Sequence, residues 1–136
     1  MFTIAVCDDD MQERMQEVQI VKNIFSQKEL EAGIEEFQTG QHFLDVLHRV
    51  PYDIVLLDIQ MGEVSGFTLA EELYKITGGE NIIFVSSMEN LVFESIHFRP
   101  FRFVRKSHLE EELTEAVESW IQQNTKTECL EFDETG

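Results

Sequence analysis

The amino-acid sequence predicts a doubly wound α/β domain: a five-stranded parallel sheet, order 2-1-3-4-5, with helices on both faces. Three observations predict it. Short aliphatic runs bounded by turn residues alternate five times with segments of helical periodicity. The runs Ile54–Leu57 and Ile82–Val85 are apolar without alternation, as in strands buried on both faces. Parallel strands need right-handed crossovers, and a chain of 136 residues has room for five in one sheet.

The elements follow in order. Phe2 to Cys7 is a short buried strand. Met11, Met15, Val18, Val21 and Phe25 recur at three- and four-residue spacing and predict an amphipathic helix over residues 10–28. Asp10 is its N-cap, with Glu13 completing a capping box. Gly33 breaks the pattern. Ile34 to Gln38 alternates apolar and acidic residues, as suits a strand at a sheet edge. Phe43, Leu44 and Leu47 form a short helix that stops before Pro51. The third strand covers 53–58. Ser65 caps a third helix, with Phe67, Ala70, Leu73 and Tyr74 facing inward, and Gly78-Gly79 ends it. Asn81 to Val85 is the fourth strand, stopping on Ser86 and Ser87. Met88 to His97 is a weaker fourth helix rich in apolar residues: Leu91, Val92, Phe93 and Ile96. Arg102 to Arg105 is the fifth strand. Ser107 and Glu110 form a capping box for the last helix, which buries Leu109, Leu113, Ala116, Val117, Trp120 and Ile121. Residues 1–124 form one domain. Residues 125–136 lack periodicity and are read as a linker.

The totals exclude several classes. Acidic residues number 27 against 10 basic ones, a formal net charge of −17. A surface of that sign does not hold a phosphate backbone, which needs clustered Lys and Arg. No apolar run is long enough to span a membrane and there is no signal peptide, so the expected location is cytoplasmic. Cys7 and Cys129 supply no disulfide framework and are read as unpaired thiols. His42, His48, His97 and His108 show no metal-ligand spacing.

The chemistry lies at the carboxyl ends of the strands. Strand 1 ends on Asp8 and Asp9, strand 3 on Asp58, strand 4 on Ser86 and strand 5 on Lys106. The proposed order brings these ends together, where open α/β sheets bind ligands. Taken singly, each has a plainer reading. Asp8 and Asp9 suit a helix N-terminus, Asp58 and Ser86 suit turns, and Lys106 suits a surface. Together they are restrictive. Carboxylates about 4 Å apart repel by about 4 kcal/mol per pair at an effective dielectric of 20, which a hard divalent cation relieves. Mg²⁺ prefers one or two carboxylates plus waters and phosphate oxygens. Such a set suits a phosphoryl group held on Asp58, with the metal and Lys106 as charge neutralisers.

These pieces resemble the receiver domains of bacterial two-component response regulators over about residues 2–122. The matching segments are Val6 to Asp10, Asp53 to Met61, Gly66, Ile82 to Ser87 and Phe103 to Lys106, in the family's order and spacing. The resemblance implies a flavodoxin-like (βα)₅ fold and a phosphoacceptor role for Asp58. It implies that Asp9, Asp58 and the backbone carbonyl of Gln60 bind Mg²⁺, with Asp8 acting partly through water. Ser86 is the switch hydroxyl, Phe103 the switch aromatic and Lys106 the contact to the phosphoryl oxygen. The implied donor is a sensor histidine kinase. The domain is a self-phosphorylating switch rather than a turnover enzyme. A homodimer through the face of helix 4, strand 5 and helix 5 is a further expectation.

Phe101 to Ser107 and the Cys-Asp-Asp-Asp start resemble the LytTR class of transcription regulators. That implies DNA binding through a C-terminal domain absent from this sequence, with 125–136 as the linker toward it. Two residues depart from the family pattern. Gly62 and Ser107 stand where prolines are usual, and neither replaces a reacting group. Two other readings stand beside this one. The first is a receiver-like binding module that works without phosphorylation. The second is a hydrolase with an aspartyl-phosphate intermediate. Gln60, in place of a second acid, and the lack of room for a cap domain count against the hydrolase.

Overall fold

The computed structural model describes the chain through Thr135, with side chains to Thr125. Five strands, β1 (Phe2–Cys7), β2 (Ala32–Phe37), β3 (Ile54–Asp58), β4 (Ile82–Ser86) and β5 (Arg102–Arg105), form one sheet. All neighbours are parallel and the order is β2-β1-β3-β4-β5, as expected. The helices are α1 (Met11–Gln27), α2 (Gly40–Leu44), α3 (Gly66–Thr77), α4 (Val92–Ile96) and α5 (Leu109–Thr135). Single 3₁₀ turns, Glu89–Leu91 and Lys106–His108, lead into α4 and α5.

The strand alternation divides the core. Ile4, Val6, Ile54, Leu56, Ile83, Val85 and Val104 face α1 and α5. Ala5, Cys7, Val55, Leu57, Ile82 and Phe84 face α2 and α3. Both faces of the central strands are therefore covered, which is why their sequences are apolar at every position. β2, the acidic strand, is indeed at an edge.

Capping decides where several helices begin. Asp10 accepts the Glu13 N–H at 2.9 Å and Ser65 accepts the Thr68 N–H at 3.3 Å. Gly78 ends α3 in the left-handed region, at φ 76°. The Ser107 capping box does not form. A 3₁₀ turn occupies Lys106–His108, Ser107 Oγ pairs with His108 Nδ1, and the Glu112 carboxylate accepts the Arg105 backbone N–H at 2.9 Å. The Lys106–Ser107 peptide is trans.

Other expectations shift. Met11 and Met15 are exposed, and the buried stripe of α1 is Glu17, Val18, Val21, Ile24 and Phe25. Tyr74 is exposed, and Leu69 takes the inner place on α3. Gly33 lies inside β2. The fourth helix is a 3₁₀ turn and five α-helical residues, with Phe93 82% and Ile96 59% exposed. The sequence shows no helical periodicity beyond residue 124, yet α5 continues to Thr135. The side chains from residue 126 on, Cys129 included, lie outside the described residues. Among the described residues no helix is long and apolar enough to cross a membrane.

Candidate functional site

Register brings the charged strand ends together. Cys7 pairs with Leu57, so Asp8 and Asp58 are level at the carboxyl end of β1 and β3. Asp58 pairs with Val85, and Ser86 pairs with Arg105, placing Lys106 just beyond β5. Side-chain parity then sorts them. Asp8 continues the side of Val6, Asp58 that of Leu56, and Lys106 that of Val104, so all three emerge over the α1–α5 face. Ser86 continues the side of Phe84 and emerges over the opposite face.

The result is a buried charge cluster. Lys106 Nζ lies 3.0 Å from Asp8 Oδ2 and 3.3 Å from Asp58 Oδ2, and it also pairs with Glu13. Asp8 is fully buried and Asp58 nearly so. The Asp10 N–H donates to Asp8 Oδ1 at 2.9 Å, and the Gln60 N–H to Asp58 Oδ1 at 3.3 Å. Arg14 donates to the Asp8 carbonyl at 2.8 Å and to Glu36 at 3.0 Å, fastening α1 over the end of β1. Asp9 is exposed at the rim. One oxygen from each of Asp8, Asp9 and Asp58 lies within 4.8 Å of the others.

Burial pushes the Asp58 carboxyl up to about 7, with Lys106 opposing and the Asp8 charge reinforcing the shift. Burial also opposes ionisation of Asp8. Glu17, the Asp10 N–H and the Lys106 charge nevertheless hold it below the usual carboxylate range. Burial opposes the Lys106 charge as well, but Glu13, Asp58 and Asp8 keep its ammonium above the ordinary lysine range.

Two glycines permit this packing. A Cβ on Gly66 would lie 2.7 Å from Ile59 Cα and closer still to the Asp58 carbonyl, while the Gly66 N–H donates to the Ile59 carbonyl at 2.8 Å. The start of α3 thus presses on the strand end that carries Asp58. Gly62, at φ 70°, sits in open space in the β3–α3 loop. Its left-handed backbone favours glycine.

Of the residues expected at the site, Asp8, Asp9, Asp58 and Lys106 are together, and Gln60 is beside them. Ser86 is buried at the adjoining strand end, but its hydroxyl accepts the Met88 N–H at 3.0 Å. Phe103 is half-buried, 6.4 Å from the Phe84 ring on the opposite face. Two more residues bear on the site: Glu17, for which the sequence suggests no role, and Glu13, expected in a capping box. Glu13 does not reach back to Asp10 as a capping box would; it holds Lys106. Glu17 is fully buried, and burial followed by Asp8 pushes its carboxyl up to about 10. The spacing Glu17, Val21, Ile24 carries the signal, since it puts an acid on the apolar stripe of α1.

The donor set fits a hard divalent cation. Three carboxylates converge, Asp8 Oδ2 has an ion pair but no aligned hydrogen bond, and Asp9 leaves one side open to water.

The family model for the response regulator receiver domain matches residues 4–118. A curated relative, the sensory transduction protein LytR of Staphylococcus epidermidis, is 24% identical over 91 residues, covering 65% of this chain. The match spans only 36% of that relative's length. Among solved structures, the response regulator TrrA of Thermotoga maritima, in complex with Mg²⁺–BeF, superposes with a TM-score of 0.72. It is 24% identical, over 88% of this chain and 99% of that one. The receiver domain of the response regulator AraT of Geobacillus stearothermophilus gives a TM-score of 0.74 at 17% identity, over 93% and 98% of the two chains.

Proposed function

This chain belongs to the response regulator receiver domain family, and from that membership we propose that it is a switch set by phosphorylation of Asp58. The observation that carries the reading is the Asp58 carboxylate, buried beside Asp8 and facing Lys106 at 3.3 Å. A sensor histidine kinase supplies the phosphoryl group. An Asp58 oxygen attacks phosphorus, the P–N bond to the donor imidazole breaks, and the imidazole leaves with the electron pair and takes a proton from water. An acyl phosphate forms on Asp58. Lys106 remains beside the modified carboxyl as its fixed positive charge. Asp8, Asp9, Asp58 and the Gln60 carbonyl would hold Mg²⁺, which when bound neutralises charge on phosphoryl oxygens. The chemistry occurs in cis, on the domain's own side chain, without turnover.

The switch follows from the two faces of the sheet. The Ser86 hydroxyl turns from the Met88 N–H toward the new phosphoryl oxygens, and the β4–α4 connection moves with it. Phe103, packed on Phe84 beside that connection, follows. The output surface is the face of α4, β5 and α5, where Phe93 and Ile96 offer apolar area for a second copy. In the wider reading, the output is transcription control through a C-terminal DNA-binding domain in the cytoplasm, as in LytTR regulators, with 125–136 leading toward it.

Beryllofluoride, a mimic of an acyl phosphate, provides the test. With Mg²⁺ it is expected to raise the melting temperature of the wild type and leave Asp58→Asn unmoved. The loaded wild type is expected to sediment as a dimer, and Phe93→Ser as a monomer. A binding module independent of phosphorylation would show neither response.

A further inference from the structure

We propose that Glu13 is a positioning residue for phosphorylation, orienting the Lys106 ammonium that a phosphoryl group on Asp58 requires. The inference rests on the reading of Asp58 as the phosphoacceptor.

The aim of the Lys106 tip depends on what lies across from it. Its stem is four flexible carbons ending in a point charge with three N–H groups. It leaves the end of β5 and crosses to β1 and β3. Asp8 Oδ2 and Asp58 Oδ2 attract the ammonium at 3.0 Å and 3.3 Å. Attraction alone does not aim it, and Asp8 Oδ2 accepts no aligned hydrogen bond. The aligned bond goes to Glu13, 93 residues away in sequence.

Glu13 is itself held in place and left free for this contact. Its backbone N–H donates to Asp10 Oδ1 at 2.9 Å. Beside it, Arg14 donates to the Asp8 carbonyl at 2.8 Å, so the first turn of α1 is tied to the end of β1. In a capping box the Glu13 carboxylate would turn back to the Asp10 N–H. That N–H already donates to Asp8 Oδ1 at 2.9 Å, which releases Glu13 for Lys106. The Glu13 side chain is 41% exposed and that of Lys106 12%, so the acid holds the cation from the solvent side. Asp8 and Asp58 flank it from within.

A phosphoryl group on Asp58 adds oxygens beyond Oδ2. One of them can take a second Lys106 N–H while Glu13 keeps the first. Without Glu13 the ammonium is left to the two buried acids and the stem regains rotamers, which the phosphoryl group must then freeze out. Glu13 also has an opposing effect. Its charge repels an anionic ligand, whether or not Lys106 is present. The two effects have opposite signs, and only the first passes through Lys106.

The test uses the full chain and its affinity for beryllofluoride at saturating Mg²⁺. Glu13→Ala is expected to bind it about tenfold more weakly than the wild type. Glu13→Gln, whose amide oxygen still accepts from Lys106, is expected to stay within about threefold of the wild type. In a Lys106→Met chain, adding Glu13→Ala is expected to cause no further loss. A Glu13→Ala protein with wild-type or tighter affinity overturns the inference. So does an equal loss in Glu13→Ala and Glu13→Gln, or a further loss on the Lys106→Met background. Wild-type protein that takes up no beryllofluoride with Mg²⁺ overturns the phosphoacceptor reading itself, and this inference with it.

Discussion

The ammonium of Lys106 stands 3.3 Å from Oδ2 of Asp58, although β4 lies between the strands that carry them. The side chain crosses the end of β4 because Ser86 emerges over the other face and leaves the α1–α5 side open. Lys106 is thereby, among the described residues, the cation that pairs with Asp8, Asp58 and Glu13 together.

Removing that cation leaves like charges facing each other. Lys106→Met is expected to lose about 2–4 kcal/mol of stability in EDTA at about pH 8. Mg²⁺ is expected to restore much of it. Urea unfolding with and without the metal checks this, and an equal loss under both conditions would contradict it.

Asp58 also makes stability depend on pH. Its folded value, about 7, is raised above the ordinary 3.8 of an aspartate. Its contribution is therefore full below 3.8 and is lost as pH rises through 7. In EDTA, wild type is expected to lose on the order of 1–3 kcal/mol more than Asp58→Asn between about pH 5 and about pH 8. Parallel losses in the two proteins would show that Asp58 is not held this way.

Gly66 tests the packing that presents Asp58. Gly66→Ala is expected to cost about 1–3 kcal/mol, because its Cβ meets the β3 backbone. It is also expected to weaken Mg²⁺ binding by displacing the strand end. Gly78→Ala is the control: it strains a left-handed turn in open space, at about 1 kcal/mol, and leaves Mg²⁺ affinity unchanged. Equal effects of the two on Mg²⁺ binding would argue against the contact.

Much of this was legible in the residues. Unbroken apolar runs give away β3 and β4, and charged residues at several strand ends give away the site. What escaped has a physical reason in each case. Met11 and Met15 fit a helical stripe by spacing alone, but it is Glu13 and Arg14 of the same turns that meet the sheet end, at Lys106 and the Asp8 carbonyl, and the methionines are left exposed. Glu17 is polar by composition and core by position; its spacing with Val21 and Ile24 marks the conflict, and the packing of α1 over β1 resolves it as burial. Phe93 and Ile96 look the same in sequence whether covered or bare. Ser107 falls inside the 3₁₀ turn Lys106–His108, where its hydroxyl pairs with His108 Nδ1 instead of capping α5. Parity also separates Ser86 from the acids, a distinction that a list of strand ends does not make.

The central claim is that Asp58 accepts a phosphoryl group with the help of a divalent cation. The most direct measurement is peptide mass mapping after exposure to a small phosphodonor, with Mg²⁺ and with EDTA. The account predicts one added phosphoryl group, on the peptide containing Asp58, formed with Mg²⁺ and lost in EDTA. An unmodified protein in Mg²⁺, or a phosphoryl group that persists on Asp58→Asn, would contradict it.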